Sequence, residues 1–172
     1  MMGKGYIHIY TGNGKGKTTA AFGLAVRALL SGKKVYIGQF VKDMKYNETK
    51  LEEHFDNIVI KQLGKGCFIT NEPNKEDIDA AKAGLEECKQ ALSSGEYDLV
   101  ILDEVTIALF FKLFDLSDVI DVLENKAYST EVVLTGRYAP QELIDKADLV
   151  TDMVEVKHYY SQGVLSRNGI DH

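Results

Sequence analysis

The chain has 172 residues, two prolines and a formal net charge of −6, a length that fills one hydrophobic core and would cramp a second, so a single domain over residues 1–172 is expected. Apolar residues at 45% against 27% charged exclude a disordered chain, and the acidic balance argues against a nucleic-acid surface, which needs clustered cations. No apolar run approaches the roughly 20 residues that span a bilayer, so a cytoplasmic protein without a membrane partner is expected. Cys67 and Cys88 lack C-x-x-C spacing, which predicts free thiols and leaves any metal to oxygen ligands.

Residues 5–10 alternate with β-branched and aromatic side chains and predict a strand that runs into a glycine-rich turn. Residues 18–30 follow with Ala20, Ala21, Leu24, Ala25, Ala28 and Leu29 at helical spacing and Gly32 placed as a stop. The alternation then recurs: a strand over 34–40, a short helix over 47–55, a strand over 58–63. A longer helix runs from the cap Asn74 to about residue 93 and leads to the apolar strand 99–102, whose continuous hydrophobicity predicts a central position covered on both faces. Helical stretches over 106–112 and 116–125, a strand over 131–135, a helix opened by Pro140 and a strand over 149–156 complete the series. Strands alternating with helices predict a doubly wound α/β fold, mostly parallel, with helices on both faces; the glycine-rich turn between the first strand and the first helix makes the expected fold P-loop NTPase-like (RecA-like). The longest connection, 64–73, is long enough to suggest a functional loop.

Gly12-Asn13-Gly14-Lys15-Gly16-Lys17-Thr18 lies between the first strand and the first helix, the context that gives a glycine-rich match its meaning. Glycines let backbone N–H groups turn inward, the helix N-terminus adds partial positive charge and Lys17 a full one, so the segment predicts a phosphate cradle. Thr18 is placed to offer its hydroxyl to magnesium. The general pattern would have glycine at position 11, where this chain has Thr11. The strand 99–102 ends in Asp103 and Glu104, which it carries to the carboxyl edge beside the loop: Asp103 as a metal ligand, Glu104 as a second ligand or a group that polarises water.

The segments Thr11 to Gly23, Gln39-Phe40-Val41-Lys42, Leu102-Asp103-Glu104, Val133-Leu134-Thr135-Gly136-Arg137, Ala147 to Met153, Lys157-His158 and Gly169-Ile170-Asp171 stand in an order and at intervals that resemble the P-loop type ATP:cob(I)alamin adenosyltransferases. The threonine ahead of the first glycine belongs to that resemblance. It implies transfer of the 5′-deoxyadenosyl group of ATP to the cobalt(I) of a reduced corrinoid, giving adenosylcobalamin or a related adenosylcorrinoid and tripolyphosphate. It further implies ATP contacts from Gly12, Asn13, Gly14, Lys15, Gly16, Lys17, Thr18, Thr19, Gln39 and Arg137, and a magnesium (or manganese) ion at Thr18, Asp103 and Glu104. Catalytic roles fall to Lys17, Phe68 and Glu104, and corrinoid contacts to Phe68, Ile69, Arg137 and His158. Phe68 matches the aromatic that displaces the lower axial ligand of cobalt, which eases reduction to cobalt(I), while Thr70 stands where some relatives have a second aromatic. A flavoprotein or other reductase and a homodimer are implied partners. Some relatives carry a helix before the first strand that covers the site; here any such lid is expected from elsewhere or not at all. The competing expectation is a phosphotransferase or ATPase, with Glu104 orienting water and Arg137 on the transferred phosphoryl group; a regulatory module without turnover is a third.

Overall fold

The computed structural model describes residues 3–41, 46–64 and 73–171. Six strands, β1 (Ile7–Thr11), β2 (Val35–Gln39), β3 (Ile58–Gln62), β4 (Leu99–Asp103), β5 (Glu131–Thr135) and β6 (Leu149–Asp152), form one sheet in the order β3-β2-β4-β5-β1-β6. Each neighbouring pair is parallel, which goes further than the expected mostly parallel sheet. Parallel strands need crossovers, and α1 (Lys17–Leu30), α2 (Lys75–Ser94), α3 (Val105–Phe110), α4 (Leu116–Glu124) and α5 (Gln141–Lys146) lie within them.

Strand periodicity divides the core between the two faces. Along β4, Leu99 and Ile101 join Ala21, Phe22, Ala25 and Leu29 of α1, whereas Val100 and Leu102 join Leu85, Cys88 and Leu92 of α2 and Val119 and Val122 of α4. Each such large aliphatic residue stabilises the fold by ~1.5–3 kcal/mol relative to exposure. Burying all five residues of β4 explains why its sequence shows no polar alternation. The long helix starts where the sequence predicts: Asn74 Oδ1 accepts from the Asp77 amide at 2.9 Å, and the Asp77 carboxylate accepts from the Asn74 amide at 3.1 Å, a reciprocal cap. Gly95 ends it in the left-handed region at φ 68°.

Two elements differ from expectation. Residues 47–55 form a tighter 3-10 helix over Asn47–Glu53, begun by the Thr49 amide and hydroxyl both donating to the Tyr46 carbonyl. β6 ends at Asp152 rather than at 156 because the chain then turns onto the glycine loop: the Met153 amide donates to the Thr11 carbonyl at 2.9 Å, and the Met153 carbonyl accepts from the Gly14 amide at 2.6 Å.

Candidate active site

Left-handed backbone collects at the carboxyl edge of the sheet. Gly12 (φ 97°) follows β1, Val41 (φ 59°) follows β2, Glu104 (φ 61°) follows β4, and Gly136 (φ 134°) and Tyr138 (φ 60°) follow β5. A non-glycine residue held there costs about 1–3 kcal/mol, and such strain gathers at functional sites.

The glycine loop is centred here. Gly12 is required by a close neighbour as well as by the turn, and Gly14 by a close neighbour: a Cβ on Gly12 would stand 2.2 Å from Asp152 Oδ1, and one on Gly14 2.5 Å from the Met153 carbonyl oxygen. Gly16 at φ 122° caps α1, so the first amides of that helix open toward the loop with their share of the helix dipole. Lys17 is buried and folds back into the turn, its Nζ donating to the Gly12 carbonyl at 2.8 Å and the Gly14 carbonyl at 2.7 Å. Burial pushes its ammonium below the usual lysine range, and the Glu104 carboxylate offsets part of that. A cation held by carbonyls alone gains when a phosphate oxygen replaces them. Asn13 and Thr19 are exposed beside the turn.

Asp103 joins the loop to the sheet. Its side chain is fully buried. Oδ1 accepts from the Thr18 hydroxyl at 2.8 Å and from the Thr135 hydroxyl at 2.7 Å; Oδ2 accepts from Gln39 Nε2 at 3.1 Å, and Gln39 Oε1 accepts from Gln62 Nε2 at 3.1 Å. Gln39 and Asp103 are direct partners in the β2·β4 register. Gln39, expected at ATP, is itself fully buried and reaches the edge through Asp103. Thr135 also accepts from the Glu104 amide at 2.9 Å, which fixes the left-handed turn that aims Glu104 toward Lys17.

Among the described residues, no group of three or more His, Cys, Asp or Glu side chains converges as a metal site. The Thr18 hydroxyl and Asp103 carboxylate are nonetheless two hard oxygen donors 2.8 Å apart, and such a pair suits magnesium, which takes one or two protein oxygens and leaves the remainder of its shell to water and phosphate.

Arg137 is exposed after β5, where its charge lowers the Lys17 pKa, and its carbonyl accepts from the Thr106 hydroxyl at 2.7 Å. Beyond β6, a cleft of about 250 Å³ lies between Gly14 and Lys15 on one side and the segment from Val154 to Tyr159, His158 included, on the other. His158 Nδ1 accepts from the Tyr160 amide at 3.1 Å and caps the short 3-10 helix Tyr159–Gln162. Lys15 is turned outward against Asp171. The structure thus brings the glycine loop, Asp103, Glu104 and Arg137 to one edge with Gln39 behind them, and sets His158 across the cleft. Phe68 and Ile69 lie outside the described residues. Sequence reasoning missed Thr135, Met153, Tyr159 and Asp171. Thr135 carried a signal, the last polar residue of an apolar strand at the same edge; Met153 and Asp171 stood within the segments that carry the family resemblance but were given no role there, and Tyr159 carried no signal.

A doubly wound parallel sheet with a glycine loop after β1 and a hydroxyl–carboxylate pair beside it is the architecture of P-loop NTPase-like proteins. Within that class, residues 3–172 match the family model of the ATP:corrinoid adenosyltransferases BtuR/CobO/CobP, and the chain belongs to that family. It is 37% identical over 172 residues to a corrinoid adenosyltransferase of Sinorhizobium sp., covering 98% of this chain and 80% of the relative. It is 36% identical over 171 residues to that of Escherichia coli strain K12 and 37% identical over 171 residues to "Corrinoid adenosyltransferase CobA" of Salmonella typhimurium strain LT2, each match covering 98% of this chain and 86% of the relative.

Proposed function

We propose that this enzyme transfers the 5′-deoxyadenosyl group of ATP to the cobalt of a reduced corrinoid and releases tripolyphosphate. The observation that carries the reading is the family match across residues 3–172, laid on a loop whose lysine is held by carbonyls that a phosphate would replace. Cobalt(I) supplies the electron pair that forms the carbon–cobalt bond, the C5′–O bond breaks, and its pair leaves on the triphosphate. No protein nucleophile is needed. The demand on the protein is to stabilise charge growing on the leaving group. Lys17, the loop amides of Gly12 to Gly16 and the N-terminus of α1 meet that demand directly, with Lys15 and Arg137 as further cations and Asn13 and Thr19 at the rim.

Thr18 and Asp103 would hold magnesium, or manganese, which would supply Lewis-acid neutralisation of the phosphates. Glu104 lies within reach as a further ligand and raises the affinity of Lys17 for its proton. Gln39 contributes by aligning Asp103. Arg137 and His158 flank the edge as corrinoid contacts, with Phe68 and Ile69 assigned to the lower corrin face. A reductase, a flavoprotein among the candidates, supplies the electron, and a homodimer is the expected assembly. Among the described residues no helix is long and apolar enough to cross a membrane.

The test is incubation with ATP, magnesium and chemically reduced corrinoid. A light-sensitive carbon–cobalt product with stoichiometric tripolyphosphate is expected; ADP and phosphate without cobalt alkylation would establish the phosphotransferase reading instead. The lower-face role has its own test in Phe68→Ala. Turnover should fall about tenfold or more from cobalt(II) with a mild reductant, as each ~1.4 kcal/mol lost costs tenfold, and much less from cobalt(I) prepared beforehand. Equal losses in the two assays would remove Phe68 from that role.

A further inference from the structure

The glycine loop carries two lysines in opposite states. Lys17 is folded inward, whereas Lys15 leaves the loop and is held by the far end of the chain: its Nζ donates to the Ile170 carbonyl at 2.9 Å and to the Asp171 carboxylate. The Asp171 carboxylate also accepts from the Tyr159 hydroxyl, from the Arg167 amide at 3.0 Å and from Arg167 Nε at 3.2 Å. The Arg167 guanidinium in turn lies 4.8 Å from the centre of the Tyr159 ring. On the other side, Asn168 accepts from the side-chain amide of Asn47, in the 3-10 helix that follows β2. Residues 167–171 therefore reach from the glycine loop to the β2 side of the carboxyl edge.

Little apolar packing explains this course, since Leu165 is 75% and Ile170 62% exposed. The polar contacts converge on one carboxylate. Lys15 first, then Tyr159 and Arg167, hold the Asp171 carboxyl well below the ordinary carboxylate range, and Asp171 pushes the Lys15 ammonium up. Both groups are charged at neutral pH. Lys15 is thereby a fully charged cation, three residues before Thr18, kept from the loop by a partner with a single negative charge.

We propose that Asp171 is a positioning residue for the triphosphate: it holds Lys15 away from the loop, yields it when a polyphosphate enters, and recaptures it as the polyphosphate departs. A polyphosphate carries several negative charges to the one on Asp171, so Lys15 transfers to it on binding. The contacts broken at Asp171 are subtracted from that affinity, so the leaving group is held less tightly than the loop alone would hold it. This proposal rests on the reading of the loop as a triphosphate site.

The experiment is calorimetric titration of inorganic tripolyphosphate with magnesium, without corrinoid, into the full chain and its variants, alongside stopped-flow dissociation. Asp171→Asn is expected to tighten binding about two- to fivefold, the scale of a partly exposed ion pair, and to slow dissociation by a similar factor. Lys15→Ala is expected to weaken binding and to abolish the effect of Asp171→Asn in the double variant. That cancellation separates a partner exchange from the general gain any polyanion makes when a nearby negative charge is removed. Asp171→Glu should restore the wild-type value, and Asp171→Ser, with thermal melting as the control for folding, should repeat the sign of Asp171→Asn. Unchanged or weaker binding in both charge-removing variants, or the same gain in the Lys15→Ala background, overturns the proposal. Failure of the wild type to bind tripolyphosphate would overturn the triphosphate reading with it, whereas binding that ignores Asp171 overturns this proposal alone.

Discussion

The two edges of the one sheet are built to opposite ends. At the amino edge the entries of β1 and β2 are tied off by carboxylates: Asp148 accepts from the Ile7 amide at 2.9 Å, Asp98 from the Lys34 amide at 2.9 Å and Glu131 from the Tyr6 amide at 2.8 Å. Those acids are matched in turn by Lys4, Lys33 and His8, around a cleft of about 480 Å³. The carboxyl edge has left-handed valine, glutamate and tyrosine residues after its strands, a buried lysine bonded to carbonyls, and a buried carboxylate whose donors come from two strands and a helix. In a parallel α/β sheet the helix N-termini face the carboxyl edge and their C-termini the amino edge. One edge therefore draws anions and tolerates strain for that purpose, while the other neutralises itself.

That contrast predicts where a substitution is felt. Lys17→Ala removes the charge at the loop, and as a charged hydrogen bond contributes about 1.5–3 kcal/mol, ATP affinity should fall by roughly 10- to 150-fold. The melting temperature should move little, because the change also removes a buried cation. Unchanged affinity in calorimetry would break the assignment of this edge to the nucleotide. Asp103→Asn sets an N–H against Gln39 Nε2; if Gln39 flips to accept, it gives up its acceptor to Gln62 instead. One donor is left facing another, so a loss of about 1–3 kcal/mol in chemical denaturation is expected. A rise in the magnesium concentration needed for turnover should accompany it, larger than for Glu104→Gln. Equal and negligible effects of the two would remove the end of β4 from the site. Glu131→Gln, at the amino edge, keeps an oxygen for the Tyr6 amide and weakens a partly exposed pair with His8. A cost of no more than about 1 kcal/mol in stability is expected, with ATP affinity unchanged. A change in ATP affinity there would mean that the two edges are coupled rather than separate.

Much of this layout was legible in the chain itself, for physical reasons that differ from part to part. The glycine loop could be read because its meaning is local: strand, turn and helix are consecutive. Asp103 could be read because an apolar strand has only one place to put a terminal acid. Gln39 was read at the right edge, but its seat against Asp103 was not, since the strand register that makes them partners has no local signal. Met153 was read as part of a longer strand because Met153 to Val156 continues the strand pattern, and nothing in it states that a glycine loop lies close enough to donate to its carbonyl. The Lys15–Asp171 contact joins residues 156 apart, beyond the reach of periodicity or motif.

The position of β5 has a consequence for how finely this enzyme can be tuned. β1, which bears the loop, and β4, which bears Asp103, are not neighbours: β5 stands between them. Two strand spacings of ~4.8 Å set the backbones about 10 Å apart, and the gap is bridged by Thr18 from α1 and Thr135 from β5, whose hydroxyls both end on the same Asp103 oxygen. β5 is thus a gauge block. It fixes the width of the jaw between the glycine loop and Asp103, through backbone dimensions that no side-chain exchange can alter. A bulge in that strand would reset the jaw while leaving every polar group in it chemically intact.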